Sequence, residues 1–288
     1  MNKRTFLKAL VGTCCATGLA FGLAGNALAN DFTVVKVGVV GEYNAQWDTV
    51  NKLLEKDKIR VKLVKYSDYA TPNRALSDGD IDLNAFQHKA FLANDCGRNG
   101  YKIVDIGDTI IAPLAIFNNK SKIKSIADLK KGDVVAIPGD LTNGGRAIKL
   151  LEAAGLLKVD PAKGYVPTKV DITEYKVKIK IREAESGILA RLLPDFSAAI
   201  INGGNAYTAG LNPAKDAIYV EDVNPKTNPN VAKLVNVIVA REKDKDNPVY
   251  RKVVAAYQTQ ETAQTILDAY KGAFLVAWEG AEKYQLKK

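Results

Sequence analysis

Histidine is almost missing from this chain of 288 residues, which has one, His88, with three cysteines and one methionine. So few imidazoles and thiols exclude a histidine-rich zinc or manganese centre. They also confine any histidine-based catalysis to a single position. The sequence holds no internal repeat, no low-complexity tract and no Ser/Pro-rich linker. It lacks an Arg-rich stripe with interleaved aromatics: its lysines are scattered and alternate with Asp and Glu. The formal net charge of +9 therefore reads as a solvated surface and not as a nucleic-acid face. What is present is a charged fraction of 25% and a hydrophobic fraction of 47%, the balance of a folded chain with a sizeable core and one or two domains.

The first residues form an export signal. Lys3, Arg4 and Lys8 make a positive end, an apolar stretch runs from Leu10 to Leu23, and Ala27-Leu28-Ala29 supplies the small-x-small cleavage pattern. The stretch is too short and too Gly-rich to favour a permanent membrane helix. Cleavage after Ala29 is expected, giving a periplasmic protein. Lipidation at Cys14 or Cys15 is the rival; Thr13 before Cys14 is not the small residue that lipoprotein processing prefers. Removing residues 1–29 takes away three basic and no acidic residues, lowering the charge from +9 to +6. Cys96 is then the only thiol, so no internal disulfide forms and packing must supply stability.

The mature chain alternates short apolar strands with amphipathic helices, which predicts an α/β fold with mostly parallel sheets. Strands are expected at 34–40, 60–66, 80–86, 101–111, 114–117, 134–138, 176–181, 198–202 and 234–240. A helix begins at Thr71-Pro72, where the Thr hydroxyl is placed to cap. Another runs over 142–154, and two more close the chain near 249–257 and 261–270. The rhythm starts afresh at Pro113, which suggests two lobes.

In open α/β sheets ligands sit at the carboxyl ends of strands, so the polar residues just after strands are the informative ones. Phe86-Gln87-His88, Asn143-Gly144-Gly145-Arg146 and Asn202-Gly203-Gly204 all stand there, and Asn236 interrupts a very apolar run. Arg146 near a helix start combines a guanidinium with free backbone N–H groups, a carboxylate site, unless it is only a surface Arg. Asn202 and Asn236 would need partners if buried. Their carbonyls can accept from an ammonium and their amides can donate to a carboxylate. One Arg and two Asn match a zwitterionic amino acid better than a phosphate or a sugar. His88, beside Phe86 and Phe91, reads as a structural residue or a pocket wall. A Cys96–His88 dyad has no supporting pattern, Asp78-Gly79-Asp80-Ile81-Asp82 lacks the spacing of a calcium loop, and Gly203-Gly204 lacks a nucleotide-loop lysine. No cofactor, no metal and no enzymatic activity are expected.

The segments Ser67-Asp68-Tyr69-Ala70-Thr71-Pro72-Asn73-Arg74-Ala75-Leu76 and Gly79-Asp80-Ile81-Asp82-Leu83-Asn84-Ala85-Phe86-Gln87-His88 resemble the methionine-binding lipoprotein family. These are the substrate-binding subunits of methionine-type ABC importers. The likeness continues through Asn143-Gly144-Gly145-Arg146, Leu211–Asp216, Val220-Glu221-Asp222 and Val235–Val239. It implies a type II periplasmic-binding-protein fold, two α/β lobes joined by two crossing strands. Lobe one would be 31–112 plus 237–288 and lobe two 113–236. It also implies that Arg146 holds a ligand carboxylate, that Asn202 and Asn236 bind the ligand's polar backbone, and that Tyr69, Phe86, His88 and Phe91 form its side-chain pocket; Asn143 joins them as a ligand-binding candidate. Partners would be a small amino acid (methionine or similar) and the membrane permease of the importer, with the chain itself a monomer. The sequence departs from the family at Ile110-Ile111-Ala112, at Gly203-Gly204-Asn205 and at Ser186. Another amino acid, a short peptide, or a surface adhesin that kept the fold are the alternatives.

Overall fold

The computed structural model describes residues 32–284; the export signal lies outside these residues. The β-branched run opens the fold as strand β1 (Thr33–Val40), followed by helix α1 (Ala45–Leu54) and β2 (Ile59–Tyr66). Trp47, Val50 and Leu54 recur at helical spacing and are the buried face of α1; Tyr257 meets the Trp47 ring edge-on, 5.2 Å between centroids. Helix α2 (Thr71–Asp78) starts where expected but is not capped by the Thr71 hydroxyl. Asp68 accepts from the backbone N–H groups of Ala70 and Thr71, and the Thr71 hydroxyl itself donates to Asp68. A carboxylate three residues ahead reaches the free N–H groups better than the hydroxyl already inside the first turn. Gly79, at φ +89°, ends the helix.

Strand β3 (Leu83–Asn84) is much shorter than the expected 80–86. Asp82 and Ala85 still bond to the carbonyls of Lys36 and Gly38 on β1, but Phe86-Gln87-His88 then turns away into helix α3 (Lys89–Asn99). Strand β4 (Ile103–Ile111) follows. Two residues, Ala112-Pro113, separate it from β5 (Leu114–Asn118) in a different sheet.

After β5 the capping-box Asp128 bonds back to the Ser125 N–H, as the sequence suggested. Strand β6 (Val134–Pro138) and helix α4 (Leu141–Ala153) come next, then an antiparallel pair, β7 (Leu157–Val159) and β8 (Ile172–Tyr175). The alternating run 176–181 is not the strand expected. Lys176 and Val177 both donate to the Leu156 carbonyl, which bends the chain, and pairing with β6 begins only at β9 (Lys180–Ala184). Helix α5 (Leu189–Leu192), strand β10 (Ala198–Asn202), helices α6 (Gly203–Thr208) and α7 (Pro213–Asp216), strand β11 (Tyr219–Val220) and helix α8 (Val231–Leu234) complete this half. The chain returns with β12 (Val235–Arg241), α9 (Pro248–Tyr257), α10 (Gln260–Tyr270) and β13 (Leu275–Val276).

The strands form two main sheets. One has the order β13-β4-β12-β3-β1-β2 and the other β11-β5-β10-β6-β9. Pairs β1–β2, β1–β3, β6–β9 and β6–β10 are parallel, whereas β12 runs antiparallel to both β3 and β4, β13 to β4, and β5 to both β10 and β11. The sheets are therefore mixed and not mostly parallel as expected: strands that return from the other half enter each sheet against its direction. Each sheet has its own apolar core. One gathers Trp47, Ile238, Tyr257, Tyr270 and Phe274; the other gathers Leu114, Ile137, Ile148, Leu151 and Ile200. Two α/β halves with separate cores meet along the ends of their strands.

Candidate ligand-binding site

The turn after β3 is held by a closed ring of buried amides. Asn73 donates to Gln87 and Asp95; Asn84 and Gln87 donate to Asn73, and Gln87 also to Asn84. The Gln87 carbonyl accepts from Val237 on β12. Each polar group in the ring has a partner, which makes such a buried network rigid and not costly. The loop therefore delivers Phe86, His88 and Phe91 to one place. Phe86, Phe91 and Tyr69 form a triangle with ring centroids 5.9 to 6.0 Å apart.

His88 caps α3: its Nδ1 accepts from the Phe91 N–H at 3.1 Å. An imidazole whose Nδ1 is an acceptor carries its proton on Nε2, and Nε2 stands 3.2 Å from Asn143 Oδ1. Burial, with Arg146 nearby, pushes the His88 pKa down to about 3, so the ring is neutral. Both nitrogens are engaged, and Cys96, whose thiol faces the Ile103 carbonyl, takes no part. His88 is a strut from α3 to α4.

Helix α4 supplies the opposite wall. Asp140 accepts from the backbone and side chain of Asn143, which fixes Asn143 with its Oδ1 outward. That oxygen also accepts from Asn202 Nδ2 at 2.9 Å. With its amide so used, Asn202, 8% exposed, leaves its Oδ1 as a buried acceptor without a partner among the described residues. Arg146 is 3% exposed and gripped by Glu221, Nε to Oε1 at 2.7 Å and Nη2 to Oε2 at 2.5 Å. Nη2 also donates to the Ala112 carbonyl and Glu221 also accepts from the Leu114 N–H. Burial alone would lower the Arg146 pKa; the charge of Glu221 outweighs it and leaves the group raised.

These residues line one tightly closed cavity, with about 30 Å³ open to a water-sized sphere. All eight sequence candidates border it: Tyr69, Phe86, His88, Phe91, Asn143, Arg146, Asn202 and Asn236. Asn236 reaches it from β12, bridged to His88. Sequence reading missed Tyr43 and Gly204, which also border the cavity, and Glu221 behind Arg146. A Cβ on Gly204 would come within 2.5 Å of the Tyr43 ring, so glycine there lets the two halves close. Tyr43 lies just beyond β1 and Glu221 just beyond β11, the strand-end positions that marked the others; a buried acid seeking the Arg was the overlooked signal. Outward, sharing Tyr69 and Phe91, lies a wider space bordered by Asp68, Asp95, Arg98, Asp140 and Glu185. The cavity thus offers a guanidinium, an unpaired carbonyl and a cluster of aromatic rings.

This is the layout of a two-lobe α/β substrate-binding protein, with its ligand space enclosed between the lobes. The family model "NlpA lipoprotein" matches residues 35–278, and the chain belongs to that family. It is 43% identical over 246 residues to Outer membrane lipoprotein 3 of Mannheimia haemolytica, covering 85% of this chain and 90% of that protein. It is 41% identical over 248 residues to the D-methionine-binding lipoprotein MetQ of Escherichia coli, covering 85% and 88%. Among solved structures, a nutrient binding protein from Burkholderia cenocepacia bound to methionine superposes with a TM-score of 0.79 at 38% identity, covering 85% of this chain and 100% of that one.

Proposed function

We propose that this chain is the exported substrate-binding protein of an ABC importer, taking methionine or a related amino acid between its lobes and delivering it to a membrane permease. The observation that supports this best is the polarity of the cavity. Arg146 would take the ligand carboxylate, the unpaired Asn202 Oδ1 and Asn236 would take the ammonium, and Tyr69, Phe86 and Phe91 would take the apolar side chain. The methionine named for the Escherichia coli and Burkholderia relatives has this chemistry; a thioether packs well on aromatic faces. On this reading lobe one comprises 31–112 plus 237–288 and lobe two 113–236. The lobes close on the ligand because each contributes contacts, and the protein acts as a monomer.

Isothermal calorimetry with a panel of amino acids tests the reading. Arg146→Ala should weaken the leading ligand on the order of a hundredfold or more, because a desolvated carboxylate loses its charged partner. Unchanged affinity in a variant whose circular dichroism is native would reject the role. Mass spectrometry of whatever co-purifies identifies the natural ligand.

Export would end with cleavage after Ala29. Several relatives are named lipoproteins, which favours a second reading in which a cysteine of the leader carries lipid. The intact mass of the protein from its native host separates the two.

A further inference from the structure

The Arg146–Glu221 pair is electrically complete before any ligand arrives. Glu221 takes one edge of the guanidinium through two N–H groups, its side chain is only 10% exposed, and it does not itself border the cavity. The other polar groups that face the cavity are neutral: Gln87, Asn143, Asn202, Asn236, the phenols of Tyr43 and Tyr69, which burial holds protonated, and His88 with both ring nitrogens engaged. Among the described residues bordering the cavity, Arg146 is the only cation and no acid is present. A carboxylate docking on Arg146 therefore makes a buried group of one cation and two anions. In a water-poor cleft like charges this close are costly. The balancing positive charge has to come with the ligand.

We propose that Glu221 is a specificity-determining residue, which sets the charge of the site to zero so that it accepts a carboxylate only from a molecule that also carries an ammonium. The substrate class is then the free zwitterionic amino acid, and amine-free or N-acylated acids with the same side chain are turned away. This rests on the amino-acid reading above and deepens it. Glu221 touches no ligand; it acts through Arg146.

The test uses a matched pair of probes. One is the tightest-binding amino acid of the panel, methionine on the proposed reading; the other is the same acid with hydrogen in place of the ammonium. Wild type should prefer the amino acid by roughly a thousandfold. Glu221→Gln should narrow that ratio about tenfold or more, chiefly by binding the amine-free acid more tightly. A merely structural role would weaken both probes alike, and an unchanged ratio overturns the proposal while leaving the amino-acid reading intact. Failure of wild type to bind any amino acid overturns both.

A second measurement needs no variant and decides the matter if Glu221→Gln does not fold. In wild type the amine-free acid should bind together with one proton, so its affinity rises about tenfold per pH unit as pH falls from about 7 to 5, while the amino acid stays flat. The groups around the site leave this window clear. His88 is neutral throughout it, and burial raises Tyr69 and Tyr165 further from it. Asp140 and Glu185, the acids on the Tyr69 side, act on both probes alike. Parallel flat profiles would overturn the proposal.

Discussion

At the scale of single residues, His88 shows how the one imidazole of the sequence serves as a strut. One nitrogen accepts from its own helix and the other donates across the cleft. Burial holds its pKa at about 3 against an ordinary 6.5, so the unfolded chain takes up a proton more readily than the folded one. The stability this provides is complete above about pH 6.5 and is lost as pH falls from there toward 3. It is on the order of 4 to 5 kcal/mol in all, and about 2 to 3 kcal/mol of it disappears between pH 6.5 and 4.5. Urea unfolding at those two pH values should show wild type falling further than His88→Gln by that amount. Equal falls would show that the imidazole accepts its proton in place. The chemical types of Arg146, Asn202, Asn143 and Phe86 were legible from their positions after strands, and Tyr69 and Phe91 from the family resemblance. The saturation of His88 and the pairing of Arg146 were not, because their partners, Asn143 and Glu221, lie 55 and 75 residues away along the chain.

At the scale of elements, most strands stand where alternation and β-branching placed them; β6 and β10 match residue for residue. Where the reading slipped, a competing hydrogen bond is the reason. The Leu156 carbonyl captured Lys176 and Val177 and moved the strand forward to β9, and Asp68 displaced Thr71 as the cap of α2. Helix α4 is the element on which the site depends most. Its glycines are there for space: a Cβ on Gly145 would lie 2.7 Å from the Val166 Cα, backbone that cannot step aside cheaply. Gly145→Ala should therefore cost about 1 to 3 kcal/mol, read as a lowered midpoint in thermal unfolding. Because the segment it pushes carries Tyr165, whose raised pKa reflects burial near Arg146 and Glu221, ligand affinity should fall as well. A Gly145→Ala protein of wild-type stability would mean that the segment yields freely.

At the scale of the molecule, two sheets with separate cores were legible because the β/α rhythm begins again at Pro113. The nature of the contact between them was not, since it depends on isolated pairs such as His88 with Asn143 and Tyr43 with Gly204. On the proposed reading those pairs belong to the closed form. Asn143→Ala removes the acceptor shared by His88 and Asn202 and should shift the ligand-free protein toward openness. Small-angle scattering should then give a larger radius of gyration than wild type, with saturating ligand restoring compactness; identical curves would count against His88–Asn143 as a latch. The passage from β4 to β5 takes only Ala112 and Pro113, and the Ala112 carbonyl is held by Arg146. On the proposed reading so short a tether would favour rotation about a fulcrum over sliding, and displacement in a lever grows with distance from its fulcrum. Arg146, which holds the carbonyl of that tether, would then move little as the lobes close, and groups farther from the tether would move more. On that reading the ligand's carboxylate would meet an almost stationary anchor, and the fit of its side chain would be judged last, as the jaws meet.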